Sequence, residues 1–166
     1  MRRFVPTLTL AALALASTVA VAGDYRVGGV EVRSPWTRPA QAGMNGVGYL
    51  TLANVGTKPI KLAAVESPAA QSVGLHESKM TGGVMSMRPV TGGLTVAPGG
   101  KVDFAPGGYH LMLLGLKTTQ SVGGKVPLTL VFADGRRMKI ELSVEAGPPK
   151  ASGASTDPMA GMHDHH

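Results

Sequence analysis

Apolar and polar positions alternate most plainly near the end of the chain. Met138, Ile140, Leu142 and Val144 fall on one side of the alternation, Lys139, Glu141, Ser143 and Glu145 on the other. Side chains of a strand point to its two faces in turn, so this run predicts a half-buried strand. Comparable short runs at residues 27–33, 46–54, 60–67, 72–76, 85–89, 94–96, 101–104, 110–114 and 126–132 precede it, and the predicted strand itself covers 137–145. Gly, Pro, Asn and Asp separate the runs, and Ala133-Asp134-Gly135-Arg136 carries the Asp-Gly signal of a tight hairpin. The glycine pairs 82–83, 92–93, 99–100, 107–108 and 123–124 read as turns. No run joins helical periodicity to capping residues, so the body of the chain is expected to be an all-β sandwich.

The two ends follow different patterns. Residues 1–22 open with Arg2 and Arg3, continue through an apolar run rich in Ala and Leu, and close on Ala20-Val21-Ala22, the small-x-small pattern of a secretory signal peptide. Cleavage there leaves a domain over residues 23–146, no membrane span, and an exported protein. From Gly147 the composition turns to Pro, Gly, Ser, Ala and Asp, which cannot bury enough apolar surface to fold, so residues 147–166 are expected to be a disordered tail.

Charge and composition then exclude several classes. The chain has 16 basic and 10 acidic residues; without Arg2 and Arg3 the excess is 14 − 10 = +4. That charge is scattered, without a Lys/Arg block interleaved with aromatics, so nucleic-acid binding finds no support. There is no cysteine. Disulfides, thiol chemistry and a blue-copper centre, which needs a Cys thiolate, are all excluded. Asp103 and Asp134 have no paired carboxylate at a useful spacing, and no Ser nucleophile motif or phosphate loop is present. The chain does not read as an enzyme.

What the chain does contain is soft ligands. Residues 76–112 hold two of the five histidines and four of the nine methionines. Imidazole and thioether suit Cu(I), whereas Mg2+, Ca2+ and Mn2+ prefer carboxylate and carbonyl oxygens. Positions i and i+2 of a strand share a face, so His110-Leu111-Met112 sets an imidazole beside a thioether, and Met85-Ser86-Met87 sets two thioethers side by side. Taken singly, Met85, Met112 and Met138 are equally well explained as core packing, and the histidines as surface residues. His76, Met87, His110 and Met112 taken together, on strands linked by Gly/Pro turns, are better explained as a copper site.

Those four residues are spaced His-x10-Met-x22-His-x-Met. The chain thereby resembles the periplasmic Cu(I) chaperones called PCu(A)C, whose motif has about twenty-one residues in the second interval. The extra residue is placed in the turn Thr91-Gly92-Gly93, where it need not disturb the flanking strands. Trp36-Thr37-Arg38-Pro39, Gly48-Tyr49-Leu50-Thr51-Leu52 and Pro106-Gly107-Gly108-Tyr109-His110 also look like the family, and the resemblance spans roughly residues 28–145. It implies a cupredoxin-like, Greek-key β-sandwich that binds one Cu(I) through His76, Met87, His110 and Met112. It further implies delivery to the CuA centre in subunit II of cytochrome c oxidase, with Sco-type thiol proteins as partners.

Around this centre, Met85 is assigned to the core or to the shell behind the ligands. Met80 and Met44 are read as loop methionines able to help pass the metal, and Trp36 and Tyr109 as packing near the site. The tail returns to metal ligands at Met159, Met162, His163, His165 and His166, a candidate second copper site whose imidazoles suit Cu(II). Two other classes share some of these features: a periplasmic copper storage or resistance protein, and a β-sandwich interaction module without metal.

Overall fold

The computed structural model describes residues 23–149. They form eleven strands and, among the described residues, no helix: β1 Tyr25–Val27, β2 Val30–Thr37, β3 Gly46–Asn54, β4 Ile60–Glu66, β5 Ala70–Thr81, β6 Val84–Pro89, β7 Leu94–Val96, β8 Lys101–Phe104, β9 Tyr109–Leu116, β10 Lys125–Phe132 and β11 Arg137–Val144. The predicted signal segment and the His/Met tract of the tail lie outside the described residues.

Hydrogen bonding runs along one path, β6-β5-β9-β8-β3-β2-β11-β10-β4-β7, with β3 also pairing β9 and β1 paired to β2. This long sheet folds over on itself, so that its apolar faces meet as the two layers of a sandwich around one core. The expected alternation is seen directly. In β11 Met138, Ile140, Leu142 and Val144 are buried, and in the antiparallel β10 so are Val126, Leu128, Leu130 and Phe132. Met138 is thus a packing methionine.

Two departures from the sequence reading have plain causes. The single strand predicted over 27–33 is a hairpin, because Gly28 and Gly29 both take positive φ (51° and 82°) and form a two-residue turn between β1 and β2. The strand predicted over 72–76 runs on to Thr81. Its polar second half, Glu77 to Thr81, looks like loop by composition, yet it is held in register by β6 across the Gly82-Gly83 turn.

Strand β2 bends in the middle. Ser34 has a positive φ of 46°, and the register with β3 shifts between Arg33 and Trp36. Val30 and Val32 lie in the core before the bend. After it Trp36 sits opposite Tyr49, its ring 4.8 Å from the tyrosine ring. Before the bend, Glu31 accepts hydrogen bonds from Arg33 Nε and Arg26 Nη2, each at 2.8 Å.

Those two hydrogen bonds, Arg33 first, lower the Glu31 carboxyl from about 4.5 to about 2. A carboxylate lowered by folding contributes stability that is complete above its unfolded value and is lost as pH falls through the folded one. Thermal melts across pH should therefore show Glu31-dependent stability draining away between about 4.5 and 2. Asp103 and Asp134 are lowered as well, so the informative comparison is with Glu31→Gln, which should flatten that part of the profile. An unchanged acid limb in the variant would contradict the assignment.

Candidate metal centre

Strand β5 lies between β9 and the edge strand β6, and its register decides what meets on each face. His76 is directly opposite His110 on β9, and Gly74 is opposite Met112. Directly opposed residues of an antiparallel pair share a face, and neighbours alternate. Leu75, Leu111 and Leu113 therefore turn into the core, where they are buried, and His76, His110 and Met112 turn to the other face of the same sheet. The two imidazoles stand edge to face, with ring centroids 5.7 Å apart at 78°.

The imidazole nitrogens differ in their partners. His110 is only 4% exposed, and its Nδ1 lies 3.1 Å from the carbonyl oxygen of Gly108. A carbonyl only accepts, so Nδ1 donates and the lone pair of the neutral ring is on Nε2. That Nε2 is buried and has no hydrogen-bond partner among the described residues, and the same holds for Nδ1 of His76. Buried polar atoms normally find partners, because an unmade hydrogen bond costs about 1–3 kcal/mol. Two such nitrogens on edge-to-face imidazoles, beside a thioether, form a donor set that can hold a cation.

Gly74 belongs to this arrangement. Its φ is not in the left-handed region, so backbone freedom does not explain it. A Cβ built there would lie 3.1 Å from His76 Nε2 and 3.5 Å from Cδ2. The missing side chain is the space over which the His76 ring leans, towards the strand pair that carries Met112. A glycine inside a strand is a sequence signal of close approach, and it could have flagged this position.

The donor set restricts the metal. Among the described residues no three His, Cys, Asp or Glu side chains gather to hold an ion. Glu77, next to His76 on β5, alternates to the other face. Any ion held here must accept thioether in place of carboxylate, which selects Cu(I) over Zn2+ or Mg2+.

Met87 shares the face but not the cluster. It is opposite Ser78, two positions from His76 in one direction, while Met112 is opposite two positions away in the other. Met87 and Met112 are thus the most widely separated pair of the four candidates, and Met87 is 52% exposed. Of the two places expected for Met85, the core or the shell behind the ligands, the core is excluded: it is 58% exposed, because β6 is an edge strand with little packed on either face. Met80 is not in a loop but in β5, directly opposite Met85. Met44 does lie in a loop and is exposed. Tyr109 turns to the core side, beside Phe104 with centroids 6.1 Å apart. Trp36 is on the site's face, since its partner Tyr49 is two positions from Val47, which opposes Met112.

Known proteins share this sequence pattern and fold. Residues 30–144 match the family described as "Putative lipoprotein LpqE-like". A relative in Leifsonia xyli subsp. xyli, "Putative lipoprotein Lxx21020", is 32% identical over 117 residues, 70% of each chain. Among solved structures, the copper-bound PCuAC domain from PmoF2 superposes with a TM-score of 0.63 at 27% identity, covering 75% of this chain and 99% of that one. The Cu(I) form of DR1885 from Deinococcus radiodurans superposes with a TM-score of 0.54 at 31% identity, covering 69% of this chain and 78% of that one. The chain belongs to the LpqE-like family, and its β-sandwich is a PCuAC-type domain.

Proposed function

We propose that this protein is a periplasmic Cu(I) chaperone that binds one ion through His76, His110, Met112 and Met87 and hands it to an acceptor. The observation that carries the reading is the pair of buried imidazole nitrogens without hydrogen-bond partners among the described residues, His76 Nδ1 and His110 Nε2, on edge-to-face rings of the same sheet face as Met112. Copper bound to the structural neighbours PmoF2 and DR1885 supports the same metal here.

Each group has a role. The Gly108 carbonyl fixes the His110 tautomer, as outer partners of metal-bound imidazoles generally do. Met112 supplies a soft donor already in place. Met87, half in solvent on the edge hairpin, closes over the ion last and opens first, which favours handing copper on over storing it. Thioethers need no deprotonation and hold Cu(I) less tightly than thiolates, so transfer to a thiol-bearing acceptor runs downhill. Sco-type proteins and the CuA centre of cytochrome c oxidase subunit II fit that chemistry.

Export follows from the signal pattern of residues 1–22. The relative from Leifsonia is named a lipoprotein, which supports export here too. The tail residues Met159, Met162, His163, His165 and His166 are proposed as a second, adaptable copper site that takes Cu(II).

Two substitutions test the core site by competition titration against a Cu(I) chelator. Met112→Ala should weaken binding sharply. Met138→Ala, which removes a buried side chain, should cost about 2–5 kcal/mol of stability and leave copper affinity alone. If Met112→Ala binds as tightly as the parent, the site lies elsewhere. Gly74→Ala offers a test without touching a ligand. Its methyl would displace the His76 ring, so Cu(I) affinity should fall while the melting temperature stays close to the parent's. Unchanged affinity in this variant would show that His76 does not bind from the position described.

A further inference from the structure

Beyond the four proposed ligands, the β5–β6 hairpin carries a separate group of thioethers. Gly82 and Gly83 both have positive φ, 59° and 78°, and form a two-residue turn closed by the pair Thr81–Val84. In such a hairpin the closing pair is hydrogen-bonded, so the next pair, Met80–Met85, is not. Non-hydrogen-bonded pairs bring their side chains nearest, with Cβ atoms about 4.5–5.5 Å apart. Two flexible thioethers rooted at that distance can both reach one ion.

Burial does not explain these residues. Met80 is 60% exposed and Met85 58%. Large apolar side chains gathered at the tip of an edge hairpin are normally avoided, because an open edge invites aggregation. Their placement is also directional. Met87 is two positions along β6 from Met85 on the same face, and His76 is two positions along β5 from Ser78, the residue opposite Met87. Sulfur donors therefore continue along one face from the solvent-exposed tip to the buried imidazoles.

We propose that Met80 and Met85 form a second Cu(I)/Ag(I) site, an entry site at the hairpin tip that captures the ion and passes it through Met87 to His76, His110 and Met112. The capture step stands on the hairpin geometry alone; the inward transfer rests on the core site proposed above. A two-thioether site without imidazole is weaker than the core, so it fills second at equilibrium and acts first in time. The ion stays monovalent throughout, and only its ligands exchange. Thioethers exclude Zn2+ and Mg2+ from the tip as they do from the core.

The test uses the full chain carrying 13C at the methionine methyl groups, titrated with Ag(I) as a redox-silent probe and followed by NMR. The first equivalent should shift the Met112 methyl. Further Ag(I) should shift the Met80 and Met85 methyls together, and Met80→Leu should abolish the shift of Met85, as Met85→Leu should that of Met80. Both residues are exposed, so neither variant endangers the fold. Met80 and Met85 methyls that stay still while Met159 and Met162 take up the added ion would overturn the entry site and leave the core reading intact. Movement of Met80 and Met85 with Met112 unmoved would do the reverse. The transfer is read in time: the double variant Met80→Leu/Met85→Leu should reach the same core occupancy as the parent but more slowly in stopped-flow loading. Equal loading rates would refute the entry role.

Discussion

The pairing of β5 with β9 is the constraint on which the rest of the site depends. Leu75, Leu111 and Leu113 are anchored in the core, and this burial sets the register that leaves His76 opposite His110 and Gly74 opposite Met112 on the other face. Side chains alternate with a period of two, so a slip of one residue would send the imidazoles into the core and the leucines to the surface. Removing three leucines from the core makes the wrong register unfavourable. Hydrophobic packing on one face thus holds the geometry of the candidate ligands on the other.

That division of labour suits a carrier. A rigid part, His110 tied to Gly108 and Met112 on a strand paired on both sides, can wait with its donors in place. A looser part, the β5–β6 hairpin at the sheet edge, holds Met87, Met85 and Met80 partly in solvent. On the proposed reading, affinity comes from the first and exchange from the second. Cysteine-free ligands keep the balance tilted towards thiol acceptors.

Much of this was legible in the chain, for identifiable reasons. Period-two alternation located β11 and set Met138 on the same side as Ile140, Leu142 and Val144, and the His110-x-Met112 spacing alone put two side chains able to bind a soft metal on one face. What was not legible depended on pairing partners. Nothing local distinguishes Met85 from a core methionine; its exposure follows from β6 being an edge strand exposed on both faces. The second half of β5 reads as loop because its residues are polar, yet cross-strand hydrogen bonds to β6 hold it extended. Tyr109, adjacent to His110, had to alternate away from it, a consequence of strand geometry that proximity in sequence conceals. Gly74 was available as a signal, since a strand glycine with ordinary φ asks what approaches it.

The central claim is a copper centre built from imidazole and thioether on the outer face of β5 and β9. X-ray absorption on Cu(I)-loaded protein truncated after residue 146, which removes the tail's histidines and methionines, reads the donor set directly. The account predicts one ion with two nitrogen and two sulfur neighbours, the sulfur count dropping by one in Met87→Ala and the nitrogen count by one in His76→Ala. A spectrum of nitrogen and oxygen donors without sulfur, or a truncated protein that binds no copper, would contradict it.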